Sequence, residues 1–359
     1  MWRVLENWVD RYFADEEAVI LLLLVLLGLA VIIFAGQILA PFFAAAIIAF
    51  LLQGGVDFLA RRKVPYRLAV WLVFTAFVGA VLVMIVVLAP LLAKQSSNLV
   101  SRIPGMIKSI QETVLLLPQK YPHIISEQEL RDLLNYASGQ VAGLAEAVLT
   151  FSFANLPNLI GLIVYLVLVP LMVFFMIKDK RLLMEMLANL LPSHRPVLRQ
   201  IWHEMNDQMA NFVRGKALEI LIVGVVSYVA FLVLHLDYAA LLALVVGFSV
   251  LIPYIGAAVV TVPILMVGYF QWGWGSEFMW LAITYGVIQF LDGNVLVPLL
   301  FSEAVNLHPL AIILAVLVFG GLWGFWGVFF AIPLATLIKA LYNAWPRKHR
   351  DQAREPVAE

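Results

Sequence analysis

Long, almost uninterrupted apolar runs recur along this 359-residue chain, and they constrain its fold more than any motif. Residues 19–35, 38–52, 68–89, 156–177 and 216–235 are five such runs, most of them about the 17–25 residues that a helix needs to cross hydrocarbon. No soluble core absorbs this pattern. Hydrophobic residues make up 63% of the chain and charged residues 13%, about half the charge that a water-facing surface carries. The expected class is an all-α integral membrane protein. Zero formal net charge leaves no electrostatic footprint for a nucleic acid. The lack of cysteine excludes disulfides and thiolate metal sites.

Between the runs lie amphipathic and polar stretches. Residues 1–18 read as a cytoplasmic interfacial helix, with Trp2, Leu5, Trp8, Val9, Tyr12 and Phe13 at helical spacing. Residues 19–92 hold three spans, the third stopping at Pro90. Residues 93–155 read as an amphipathic extracytoplasmic region, with a Ser126–Glu129 capping box opening one helix. Residues 182–214 form a second polar helical stretch, and a fifth span starts at Lys216, whose side chain is expected to snorkel to the interface while Glu219 lies deeper. Residues 156–345 are expected to form the transport core, followed by a polar cytoplasmic tail, 346–359.

The second half breaks the simple pattern. The runs 239–252 and 257–271 are short and flank Pro253-Tyr254-Ile255-Gly256, with Pro263 in the second run. They read as a re-entrant hairpin or as one kinked span. The run 308–344 is too long for one crossing and is cut by Gly320, Gly321, Gly324 and Gly327, which suggests a second hairpin. Six full spans with two hairpins, or eight spans, both fit. Lys and Arg concentrate in 61–67, 178–216 and 339–354, which places both termini in the cytoplasm. Gly256–Pro263 and Gly327–Pro333 also echo one another, and paired interrupted segments point to a site between repeats.

No P-loop, nucleophile elbow or zinc motif is present, so an enzyme is not expected. Asp292 is the sharpest residue, because an ionisable group at membrane depth ordinarily faces a cavity or a partner. Gly293 and Asn294 beside it read as a break in the helix, and Gln289 and Pro298 flank it. The candidate binding set is Asp292, Asn294, Gln289, Pro253, Tyr254, Gly256, His308 and Glu219. The candidate hinges are Gly293, Pro298, Gly320, Gly321 and Pro263. A secondary transporter of a small polar solute or cation is the leading expectation, against a passive channel or a non-transporting scaffold.

The blocks PFFAAAIIAFLL (41–52), VFFMIKDK (173–180), VRGKALEILIVG (213–224), IPYIGAAVVTVP (252–263) and the long block 288–335 carry a resemblance. The chain resembles the autoinducer-2 exporter family of permeases over roughly 20–345. The resemblance implies a bacterial inner-membrane permease working by secondary transport. Its cargo would be a small furanosyl signalling molecule, or it would exchange sodium for protons, with no bound cofactor. It also implies a lipid-embedded homo-oligomer, with a pentamer as the expected form, and re-entrant hairpins in the second half. The same positions are implicated by it: Gln289, Asp292, Asn294, Pro298, His308-Pro309, the Pro253–Gly256 tip and Arg214-Gly215-Lys216. Family members often carry a glutamine–asparagine pair where this chain reads Leu291-Asp292-Gly293-Asn294.

Overall fold

A computed structural model describes residues 16–36, 38–114, 159–189, 196–301 and 307–344, with two isolated positions, 128 and 139. Most of the expected 1–18 helix, the Ser126–Glu129 capping box and the 346–359 tail lie outside the described residues. Every regular element among those described is a helix. The first half holds α1 (Glu16–Ala35), α2 (Ala40–Arg61), α3 (Tyr66–Val83), α4 (Ala89–Val114) and α5 (Leu159–Lys178). The middle holds α6 (Lys180–Asn189) and α7 (Pro196–Val233). The second half holds α8 (Ala239–Ser249), α9 (Ile255–Trp272), α10 (Ser276–Leu291), α11 (Val297–Phe301), α12 (Pro309–Trp323), α13 (Phe325–Phe329) and α14 (Ala331–Ala344).

Among the described residues, five helices are long and apolar enough to cross a membrane by length and composition: 40–61, 66–109, 196–233, 255–272 and 276–301. Shorter apolar helices cover 19–35, 165–178, 239–249 and 309–323. The outward faces are apolar: on α7, Leu221, Val225 and Val229 are exposed while Val223, Ser227 and Phe231 are buried. Such a surface is stable only against lipid.

Two expected breaks are absent. The helix does not stop at Pro90, and it does not break at Gly293-Asn294. In each place a five-residue π turn carries the helix onward, at Met84–Leu88 and at Asp292–Leu296. Ala89 N–H bonds to the Met84 carbonyl, and Val297 N–H to the Asp292 carbonyl. A proline follows each turn at the same offset, Pro90 and Pro298. A proline ring collides with the carbonyl four residues back and brings no N–H. Widening the preceding turn relieves that collision and keeps the neighbouring backbone groups paired, as hydrocarbon demands. The polar stretch before Lys216 is likewise not a separate element. From Pro196 onward it is continuous with the fifth span, as one 38-residue helix.

Residues 239–272 and 309–344 each fold back on themselves. In the first pair the Gln271 side chain, near the end of α9, receives the Asp237 N–H at 2.8 Å and donates to the His235 carbonyl at 2.7 Å, beside the start of α8. At the other end Gly256 packs so tightly on Ser249 that a Cβ would overlap its carbonyl oxygen. Tyr254 forms the tip, with φ 63° and ψ −48°, and the Ile255 N–H closes on the Pro253 carbonyl at 2.7 Å. That is a γ-turn of the strained, positive-φ kind. In the second pair Gly327 makes the same close approach to the Phe319 carbonyl, and Ala331 packs on Ala315 and Val316. The two echoing glycines therefore share one job: each lets its helix touch the backbone of the preceding one.

In the first half, Ala45, Ala49, Val56, Val169, Val173 and Ile177 form a core between α2 and α5. The Tyr66 hydroxyl donates to the Ile177 carbonyl at 2.7 Å, so the cationic clusters at 61–67 and 178–181 share one end of the bundle.

Gly256→Ala drives a methyl into backbone and should cost about 1–3 kcal/mol by overpacking, lowering the thermal midpoint of the purified protein in detergent. Gly286 has open space around it, so Gly286→Ala should hold or raise the midpoint through helix propensity. Equal midpoints for the two variants would contradict the close approach at the tip.

Candidate functional site

A cavity of about 570 Å³ opens between α7, the tip of the first hairpin, the π turn after α10 and the start of α12. Its polar wall is Lys216, Glu219, Gln289 and Asp292, and Tyr254 sits at its edge. Phe301, Ile252, Val297, Ile312 and Ile332 supply apolar wall.

Local packing places each group. Gly247 on α8 packs directly against Gly224 on α7, which brings the two backbones together. The C-terminal end of α8 therefore lies beside residue 216, and Lys216 Nζ donates to the Val250 carbonyl at 2.8 Å. Carbonyls at a helix C-terminus carry partial negative charge. Glu219, one turn along α7, holds the same ammonium at 2.8 Å. The Phe301 ring centroid lies 5.2 Å from it, within cation–π range. Gly215 makes room for that ring, since a Cβ there would come within 2.6 Å of it.

Lys216 does not snorkel. It is 5% exposed, and Glu219 is 2% exposed. The helix continues back to Pro196, and the hairpin tip closes over this segment.

Asp292 and Gln289 lie one turn apart and both line the cavity. Asp292 Oδ1 and Gln289 Nε2 are buried and have no hydrogen-bond partner among the described residues. Asp292 lines the same cavity as Lys216 and Glu219. An acceptor and a donor left open on a cavity wall are what a polar ligand would complete, because buried polar groups are otherwise paired. Among the described residues no group of three or more His, Asp and Glu could hold a metal ion.

The cavity gathers seven of the candidates: Asp292, Gln289, Glu219, Pro253, Tyr254, Gly293 and Pro298. It does not gather the others. Asn294 is exposed and donates to the Phe290 carbonyl in the preceding turn at 2.9 Å. His308 caps α12 through Nδ1, which accepts the Leu310 N–H at 3.2 Å. Gly256 fixes the first hairpin from behind its tip. Gly320 abuts Val328 in the second hairpin, Gly321 stands in open space beside it, and Pro263 lies inside α9. The residues read by themselves left Lys216 at the interface, although the family resemblance implicated Arg214-Gly215-Lys216, and nothing in the sequence pointed to the Val250 carbonyl as part of the site. The available signal was Lys216 and Glu219 at i and i+3, which puts both on one helix face.

The chain is similar in sequence to proteins named for transport. The family model described as AI-2E family transporter matches residues 21–347. The chain is 45% identical to PerM of Escherichia coli (strain K12), a protein named as a permease, across 96% of this chain and 98% of that one. It is 27% identical to YueF of Bacillus subtilis (strain 168), named as a transport protein, across 87% and 85%. It is 26% identical to TqsA of Escherichia coli (strain K12), named as an AI-2 transport protein, across 88% and 90%.

Lys216→Met leaves the Glu219 carboxylate buried without its partner and should destabilise the protein by about 3–5 kcal/mol. Adding Glu219→Gln removes the orphaned charge and should recover much of that loss. Thermal unfolding of the single and double variants in detergent checks both. A single variant as stable as the wild type would contradict the buried pair.

Proposed function

The chain belongs to the AI-2E transporter family, a multi-pass membrane family of transporters rather than enzymes, and from that premise we propose that it is a secondary transporter whose site is the Asp292 cavity. The observation that carries the reading is the pair of unpartnered polar atoms, Asp292 Oδ1 and Gln289 Nε2, in a cavity among apolar helices. Helix interruptions beside a cavity are a recurrent way to build transport sites, because irregular backbone at membrane depth is tolerated only where protein or water meets it. Here the interruption is a π turn, and it carries Asp292 itself.

The cargo is a small polar solute or a cation. One relative is named for AI-2 transport, and a solute of that kind is one candidate cargo for export. The moving parts are the two hairpins, each joined by a tight tip and each able to act as a unit against α7. We assign the chain to a bacterial inner membrane, with both termini cytoplasmic. The shared end of the 61–67 and 178–181 cationic clusters supports that orientation. The first hairpin is read as re-entrant, since α8 has only 11 residues and would reach about 16 Å. The lipid-facing surface is read as embedded in a homo-oligomer.

The test is flux in proteoliposomes under imposed sodium and proton gradients, with radiolabelled sodium and a panel of small polar solutes. Asp292→Asn should fold normally and lose at least about tenfold of the gradient-driven rate, equivalent to about 1.4 kcal/mol of lost interaction. Wild-type flux through a folded Asp292→Asn protein would overturn the assignment of the site.

A further inference from the structure

The first hairpin is held in two places by contacts of unequal strength. Along α7 the hold is buried. Val223 and Phe231 of α7 pack with Leu242, Ala243 and Val246 of α8, Gly247 meets Gly224 backbone to backbone, and Lys216 donates to the Val250 carbonyl. At the base of the hairpin the partner is α4, and the hold is polar. Arg102 Nη1 pairs with Asp237 Oδ2 at 3.2 Å, the two side chains being 63% and 47% exposed. The Arg102 guanidinium also lies 5.9 Å from the centre of the Tyr238 ring. Two turns earlier on α4, Gln95 Oε1 accepts the Leu241 N–H at 2.9 Å, in the first turn of α8, where the helix itself offers that donor no acceptor. The ion pair sits in water. Along the continuous helix 66–109, Arg102 is about 54 Å of rise beyond Tyr66, which marks the end carrying the cationic clusters, and hydrocarbon fills only about 30 Å.

Between α4 and the hairpin lies a cavity of about 330 Å³, with Met106 on the α4 side and Val267 on the hairpin side. Its charged, amide and serine side chains are already engaged. Arg102 pairs with Asp237, Gln271 bonds the backbone at 235 and 237, and Ser101 and Ser109 donate to the Asn98 and Gly105 carbonyls. That differs from the other cavity, where Asp292 and Gln289 are left open. The space beside α4 is room for movement rather than a ligand site.

We infer that α4 is a latch on the first hairpin: the hairpin swings about its buried contact with α7, and the Arg102–Asp237 pair parts as the base leaves α4. The inference rests on the transporter reading and adds the place where its moving part is released. Relative strength chooses the pivot. An exposed ion pair contributes little and is screened by salt. Breaking the α7 contact would instead strand the buried Lys216 and expose tightly packed apolar surface. The tip of the same hairpin lines the Asp292 cavity through Pro253 and Tyr254, so release at the base changes the wall of the site. The polar stretch that α4 opens thereby acquires a task, setting how readily the hairpin comes free.

The chain has no cysteine, so Met106→Cys reports on the latch with one thiol. Met106 lines the cavity beside α4 and is 8% exposed. Its labelling rate with a water-soluble maleimide is read on the full-length protein in proteoliposomes without a gradient. Val173→Cys, buried in the first-half core, reports unfolding and should stay unlabelled in every background. Arg102→Glu should speed labelling at 106 about fivefold, and the exchanged pair Arg102→Asp with Asp237→Arg should bring it back to within about twofold, the scale set by an exposed ion pair. Raising sodium chloride should speed labelling of Met106→Cys alone, since ions screen the pair, and this arm needs no charge variant to fold. Bridging Met106→Cys to Val267→Cys with a reducible bis-maleimide should stop gradient-driven flux, and reduction should restore it. A labelling rate indifferent to charge reversal and to salt would overturn the latch, as would full flux through the bridged protein. Flux in a chain whose labelling ignores the pair would remove the latch and leave the transport reading. Labelling that follows the charge pattern, in a chain that drives no flux, would leave the releasable contact and remove the transport reading.

Discussion

A lysine ammonium inside an apolar bundle is held only where negative groups meet it on several sides, and the second half of this protein is arranged around meeting Lys216. Glu219 supplies a carboxylate from the same helix, and Val250 supplies the carbonyl end of α8. Phe301 supplies a ring face. Each requires a close approach that small residues allow, Gly224 with Gly247 for α8 and Gly215 for the ring. The hairpin tip, the long α7 and the segment after the π turn are thereby tied to one cation. Asp292 stands beside this arrangement without being consumed by it.

The two hairpins show how local backbone choices place that site. Gly256 and Gly327 perform the same steric task in segments that echo one another in sequence. Tyr254 holds a strained backbone at the first tip, and it does so at the edge of the cavity, where strain of about 1–3 kcal/mol persists only if the surroundings enforce it. The π turns at 84–88 and 292–296 likewise share one cause, a proline two residues on. In the second case the widened turn begins at Asp292, so the same proline that perturbs the helix also sets the carboxylate against the cavity.

Much of this was legible in the chain itself. Apolar run lengths identify the helices, and the cost of burying a carboxylate singles out Asp292. Pro253-Tyr254-Ile255-Gly256 reads as a tip because no helix continues comfortably through it. What the sequence could not carry was long-range. Lys216 opens an apolar run, so by itself it reads as an interfacial residue. Its burial follows only once α7 is seen to extend back to Pro196 and the end of α8 returns to meet it. Gly293-Asn294 reads as a break because local turn signals do not distinguish an interrupted helix from one widened by a single residue. Asn294 and His308 carry polar chemistry in promising places, yet both spend it on nearby backbone, which only the geometry reveals.

The most direct test of the account is access to the cavity from each side of the membrane. The natural chain has no cysteine, so Val297→Cys places a single thiol on the cavity wall. Labelling with a membrane-impermeant thiol reagent, from either face of oriented vesicles and with or without a sodium gradient, reads that access directly. The account predicts labelling from both faces, with reactivity on one side falling as it rises on the other when the gradient is imposed. Labelling from only one face under every condition would contradict a cavity that alternates across the membrane.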